Sequence, residues 1–246
     1  MRKPNVEYAL VCSVGKLRRN NEDNFYCDGY IREDVDSNED SEICGTVNTD
    51  TNELFAVFDG MGGEACGEVA SYVAAQECRA FARQRDAYNG EYLYELAELL
   101  NQKVLDETLA RSLVIMGTTA AMLQIASDDV YILNAGDSRI YKLSGHELRQ
   151  ISEEHIVVGY RGKAITKFLG MPEDHPLEPY IAKGKYQAGD MFLLCSDGVT
   201  DMLTDDEIRL ILDDKSDLSV LARALVNAAL EKGGVDNTTA LLVRFG

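Results

Sequence analysis

Short apolar runs alternate with glycine-marked turns along most of this chain, and two longer stretches carry helical spacing. Val6 to Ser13 is mostly apolar and reads as a strand, followed by a turn at Val14-Gly15-Lys16-Leu17. Asn24 to Asp28 reads as a second strand, and the unbroken run Leu54-Phe55-Ala56-Val57-Phe58 as a buried one. From 64 to about 85 alanines and aliphatics fall at helical spacing, Asn89-Gly90 breaks it, and 91 to about 111 resumes it. In the second helix Leu93, Leu96, Leu99, Leu100, Val104 and Leu109 form one apolar stripe. Met116 to Ile125, Val130 to Ala135 and Arg139 to Leu143 are joined by Ser127-Asp128-Asp129 and Gly136-Asp137-Ser138. That pattern predicts an antiparallel meander with Asp137 in a hairpin turn. Residues 151 to 190, with scattered glycines and prolines, read as a surface excursion, and the acidic stretch 32 to 50 as a solvated loop. Order returns at Met191 to Ser196. Thr204-Asp205-Asp206-Glu207 has the form of a capping box, a helix follows from about 219 to 232, and Ala240 to Phe245 is a last strand.

Length and composition narrow the class. At 246 residues one domain with a sizeable core is expected, and 46% apolar with 27% charged residues is the balance of a folded globular protein. A formal charge of -18 argues against nucleic acid and against an anionic membrane surface, both of which would repel it. The start, Met1-Arg2-Lys3-Pro4-Asn5, leads into no signal-like segment, and no stretch approaches the ~18 apolar residues of a membrane span. Six cysteines without a CxxC pair fit a reducing compartment, so a cytoplasmic protein is expected.

The chemistry lies in the acids that punctuate the strands. Two apolar strands end in Asp-Gly, at Asp59-Gly60 and Asp197-Gly198; two others are preceded by acids, Glu22-Asp23 and Asp236. In antiparallel sheets one strand's exit lies beside its neighbour's entrance, so these carboxylates would gather along one edge, with Asp137 able to join them. Clustered, desolvated carboxylates repel one another, and a divalent cation is the simplest remedy. An all-oxygen donor set suits magnesium or manganese, and paired metals can activate water and accept charge from a phosphoryl group. Arg18 could clamp phosphate oxygens. A rival reading is the Cys12-x5-Arg18 spacing, which fits a thiolate phosphatase loop but leads here to a strand rather than a helix.

Six motifs in order now carry a resemblance. Arg18-x-x-Asn21-Glu22-Asp23, Asp59-Gly60-Met61-Gly62-Gly63, Gly117-Thr118-Thr119, Gly136-Asp137-Ser138-Arg139, Ser196-Asp197-Gly198 and Asp236-Asn237 resemble the metal-dependent type-2C serine/threonine protein phosphatases of bacterial type. The resemblance implies an α+β fold, a four-layer α-β-β-α sandwich of two antiparallel sheets flanked by helices, with 1-246 forming a single catalytic domain. It implies that Asp59 bridges two ions (Mn2+ or Mg2+), that the Gly60 carbonyl binds one of them, and that Asp197 and Asp236 complete one. Glu22 and Asp23 would act directly or through water, Asp137 would serve a third, weaker ion, and Arg18 would bind phosphate. Thr118 and Thr119 are read as structural, and His146, His155 and His175 are given no role in the chemistry. The implied reaction is hydrolysis of phosphoserine and phosphothreonine in proteins by a metal-bridging hydroxide, without a covalent intermediate. The implied partners are phosphorylated proteins and a serine/threonine kinase acting in the opposite direction. Two departures stand out. Met61 occupies the place where animal members usually carry histidine, and the flap at about 151-185 is shortened. A non-catalytic relative would have lost the metal-binding acids, which are all kept here, and a two-metal nuclease sits badly with the charge.

Overall fold

In a computed structural model of the chain, residues 5–48, 53–61, 66–83, 90–160 and 162–246 are described. Gly62 and Gly63 of the glycine-rich motif, and Asn89 of the break between helices, lie outside them.

Two antiparallel sheets face each other. Sheet I orders its strands β3 (Ser41–Asn48), β1 (Asn5–Ser13), β14 (Thr238–Phe245), β13 (Met191–Cys195), β8 (Arg139–Ser144) and β9 (Glu147–Gln150). Sheet II orders β12 (Tyr180–Lys185), β7 (Asp129–Ala135), β6 (Ala120–Ala126), β4 (Glu53–Met61) and β2 (Asp23–Cys27), with the short β5 (Gly117–Thr118) beside the end of β4. A separate hairpin, β10 (Ile156–Gly159) and β11 (Gly162–Ile165), stands apart from both.

The period-2 alternation of the strands sorts side chains into layers. From β1, Val6, Tyr8, Leu10 and Cys12 point between the sheets, where they meet Phe55 and Val57 of β4 and Phe192 and Leu194 of β13. The alternate residues of β4, Leu54, Ala56 and Phe58, face outward under α1 (Gly67–Ala82) and α2 (Gly90–Ala110). Ala9 and Val11 of β1 face the other way, under α4 (Asp205–Leu212) and α5 (Leu218–Glu231); α3 (Asp197–Thr200) is a single turn just after β13. The result is the four-layer α-β-β-α sandwich. Thr204 and Glu207 form the reciprocal cap expected at the start of α4.

Four expectations need correction. The meander is broken: β7 belongs to sheet II and β8 to sheet I, so Gly136-Asp137-Ser138 is a crossover between sheets and not a hairpin turn. Gly136, at φ 109°, makes that change of direction. Residues 41–48 are an edge strand, not loop; Ile43 and Val47 alternate inward onto the central core, a signal diluted by the acids before them. Within the irregular 151–190 region, Tyr180–Lys185 pairs with β7 as the other sheet's edge, its lysines guarding an open strand. Leu109, assigned to the apolar stripe of α2, is exposed in its last turn.

Candidate active site

The acids collect where four strand ends meet across the two sheets. Asp23 opens β2 directly opposite Asp59 near the end of β4. Asp59 is fixed by its backbone: its N–H donates to Thr119 Oγ1 at 3.0 Å, and its carbonyl accepts from the Thr119 N–H at 2.8 Å and from Thr118 Oγ1 at 2.9 Å. Thr119 Oγ1 lies 2.7 Å from Ser138 Oγ at the crossover, so the two threonines lock Asp59 to Asp137's segment. Gly60 donates to the Glu22 carbonyl at 3.1 Å. A Cβ at Gly60 would lie 2.1 Å from the Gly67 carbonyl oxygen and 2.6 Å from that of Glu22, so only glycine fits.

Sheet I supplies the other half. β13 and β14 pair through Cys195 and Ala240, which brings Asp197, just past one strand, beside Asp236, just before the other. Asn237 joins the halves: its Oδ1 accepts from the Glu22 N–H at 2.8 Å, while its Nδ2 donates to the Val14 and Asn20 carbonyls. Asp23 is wholly buried between the sheets, with Oδ2 accepting from Ser196 Oγ at 2.7 Å and Thr239 Oγ1 at 2.6 Å. Asp137, 3% exposed, sits at the crossover. The structure thus brings Arg18, Glu22, Asp23, Asp59, Gly60, Asp137, Asp197 and Asp236 to one end of the sandwich.

Burial and mutual repulsion set the electrostatics. The Asp59 carboxyl is pushed well above the usual carboxylate range by burial, then by Asp23, Asp197, Asp137 and Asp236. Burial raises Asp197 to about 7, helped by Asp137, Asp201 and Asp236 and opposed by Lys163. Burial also raises Asp23 to about 6, against the hydrogen bonds from Thr239 and Ser196. Glu22 is raised by burial and then by Glu68. The protein's own cations answer part of this charge. Arg18 Nη2 stands 2.6 Å from Asp236 Oδ2, and Lys163 Nζ stands 2.6 Å from Asp137 Oδ2 and 3.8 Å from Asp197 Oδ2.

The donor set fits hard divalent cations. Every acid offers oxygen donors, and Asp23 Oδ1 and Asp137 Oδ1 are buried without a hydrogen-bond partner, acceptors still to be satisfied. Among the described residues no three acidic, histidine or cysteine side chains already close on one point as a ligand group. A cavity of about 570 Å³ opens elsewhere, between Ile132, Ile151, Tyr180 and Phe192, and includes none of these acids.

Three participants escaped sequence reasoning. Lys163 comes from the separate hairpin, and nothing in its local sequence marks it. Glu68, in the first turn of α1, accepts from Asn20 Nδ2 at 3.2 Å and faces Glu22; its place just after the glycine-rich motif was the available clue. Arg32, inside the segment read as solvated, is 5% exposed. It donates to the Asp23 carbonyl at 3.0 Å, to the Asn21 carbonyl, and to the carbonyls of Asp34 and Ser37. The thiolate reading fails on burial: Cys12 is fully enclosed in β1, and burial, reinforced by Asp23, pushes its thiol up to about 12.

Comparison with known proteins agrees with this geometry. The profile of the family described as protein phosphatase 2C matches residues 32–233. The serine/threonine phosphatase stp of Listeria monocytogenes is 31% identical over 251 residues, covering 93% of this chain and 92% of its own. Among solved structures, PppA of Pseudomonas aeruginosa superposes with a TM-score of 0.80 at 30% identity, covering 98% of both chains. The catalytic domain of the phosphatase PstP, solved with two manganese ions, gives 0.79 at 26% identity, covering 98% of this chain and 99% of that one. With two sheets bringing acids to one end, a profile that matches residues 32–233 and relatives that span nearly its whole length, this chain belongs to the protein phosphatase 2C family of metal-dependent serine/threonine phosphatases.

Proposed function

We propose that this chain hydrolyses phosphoserine and phosphothreonine monoesters in proteins at the acid cluster, with Asp59 shared between two divalent ions. The observation that carries the reading is the half-buried Asp59 carboxyl, fixed opposite Asp23 and facing four carboxylates drawn from both sheets. Asp197 and Asp236 would hold one ion with it, the Gly60 carbonyl the other; Glu22 and Asp23 would act directly or through water, and Asp137 toward a weaker third. Bound Mn2+ or Mg2+ would supply Lewis acidity toward the phosphoryl oxygens and make water a nucleophile near neutral pH.

The chain's own groups do the rest. Arg18, half exposed beside Asp236, offers a guanidinium fork to a phosphate dianion. The hydroxyls nearest the acids are engaged: Ser196 and Thr239 donate to Asp23, and Thr119 is paired with Ser138. With Cys12 buried as a thiol, this supports direct attack by water rather than a covalent intermediate. Asn237 and Arg32 hold the Glu22-Asp23 segment by its backbone and so fix where its carboxylates point. We read 1-246 as one catalytic domain, with β10 and β11 as its shortened flap. Its partners would be phosphoproteins and an opposing serine/threonine kinase. Six unpaired cysteines, four of them buried, support a reducing cytoplasmic setting; among the described residues no helix is long and apolar enough to cross a membrane.

The test is release of phosphate from a phosphothreonine peptide across a manganese titration, with wild type beside Asp59→Asn. Wild-type turnover should rise with manganese, and the variant should lose at least ~10³-fold while keeping its fold, a loss of the order expected for a group at the reacting centre. Undiminished turnover of Asp59→Asn at saturating manganese would overturn the assignment.

A further inference from the structure

Lys163 is the cation that the family motifs do not foresee. It lies on β11 opposite Val158, in a hairpin whose Val157 and Val158 side chains are exposed and therefore give it little apolar purchase. The base of that hairpin is tied to the crossover: the His155 N–H donates to the Gly136 carbonyl at 2.9 Å, and the Thr166 N–H donates to the His155 carbonyl at 2.8 Å. Gly136 precedes Asp137, so the tether that anchors the hairpin also sets the reach of Lys163. Its ammonium meets Asp137 Oδ2 at 2.6 Å and Asp197 Oδ2 at 3.8 Å, with Asp137 4% and Lys163 30% exposed at their side chains.

We propose that Lys163 is a resident counter-cation between Asp137 and Asp197, taking the place of the outermost divalent ion and keeping that position weak. The inference rests on the proposed metal-binding reading of the cluster. A nearly buried carboxylate among other acids requires a positive partner. A divalent ion at Asp137 needs oxygen ligands at ~2.1 Å; the unpartnered Oδ1 is available to it, while Oδ2 is already held by the ammonium at 2.6 Å. Two cations so close, on a carboxylate that is itself nearly buried, would also repel each other. Ammonium and ion therefore compete for the one carboxylate, and divalent metal at this position loosens Lys163 from it.

The experiment counts metal rather than turnover. Bound Mn2+ per full-length chain is measured by equilibrium dialysis with elemental analysis, over a range of free Mn2+, for wild type, Lys163→Gln and Lys163→Arg. The expected result is that the weakest site tightens at least tenfold in Lys163→Gln, while Lys163→Arg follows wild type. Superposed isotherms for wild type and Lys163→Gln would overturn the inference and leave the function standing; absence of Mn2+ binding in every chain would overturn both. A second reading uses wild type alone. The rate at which an amine reagent labels Lys163, followed by mass spectrometry, should rise at least threefold as the weakest site fills, while exposed Lys185 stays constant. An unchanged Lys163 rate through saturation would equally overturn it.

Discussion

Replacing Asp197 with asparagine should stabilise the metal-free protein, the reverse of what an ordinary buried polar substitution does. Folding carries this carboxyl from an ordinary 3.8 to about 7, chiefly by burial and then by Asp137, Asp201 and Asp236. A folded value above the unfolded one means that the folded state holds the extra proton. The group therefore costs nothing below pH ~4, costs up to about 1.4 kcal/mol more per pH unit from there to pH 7, and reaches a ceiling of about 4 kcal/mol above that. Two effects reduce what the substitution recovers: the neighbouring acids share the repulsion, and Lys163 loses its partner at 3.8 Å. A net gain of about 2 kcal/mol remains, or ~4–8 °C in Tm for a chain of this size. Thermal unfolding in EDTA, from pH 4.5 to 8, is the assay. Wild type should lose stability toward high pH with a steeper slope than Asp197→Asn, and the variant should melt higher at pH 7.5. Added Mn2+ should reverse the order, since wild type gains about 2.7 kcal/mol per site at a hundredfold excess over Kd. A variant that melts lower in EDTA at pH 7.5, with the wild-type slope unchanged, would refute the claim that these acids repel one another.

Three further outcomes are expected. Arg18→Ala should raise KM for a phosphopeptide about 10–100-fold and leave kcat nearly unchanged, the signature of a lost charge-assisted clamp; a fall confined to kcat would remove Arg18 from phosphate binding. EDTA should abolish activity while alkylation of native thiols, which reaches exposed Cys44 and not buried Cys12, leaves it intact; inactivation by alkylation of Cys12 would revive the thiolate reading. Arg32→Met should cost about 2–4 kcal/mol in urea unfolding, because the carbonyls of Asn21 and Asp23 lose a buried charged donor. The same variant should weaken Mn2+ binding by loosening the segment that carries Glu22 and Asp23.

What the sequence discloses here follows the range of each interaction. The Asp-Gly pairs and the capping box at Thr204 are local signals: the box caps α4 as its residues indicate, whereas β4 runs through Asp59-Gly60 to Met61 and Asp197-Gly198 opens a helical turn just after β13. The four layers followed from six ordered motifs rather than from periodicity. Periodicity alone joined β7 to β8 as neighbours, because a crossover and a hairpin turn both need glycine and a short polar residue at Gly136-Asp137-Ser138. Edge strands β3 and β12 were hidden because only one face of each packs and lysines or acids occupy the rest. Arg32 and Lys163 were invisible for a deeper reason. Each answers charge or carbonyl groups that only tertiary structure brings near it, so no neighbour in sequence announces its partner.

The central claim is that Asp59, Asp197 and Asp236 close around a shared pair of cations. The most direct measurement is anomalous scattering from a crystal grown with Mn2+. The account predicts two strong peaks, both within about 2.5 Å of Asp59 carboxylate oxygens and at least one also bound by Asp197 and Asp236. Manganese peaks lying away from Asp59, or an Asp59 carboxylate touching no ion at saturating metal, would contradict it.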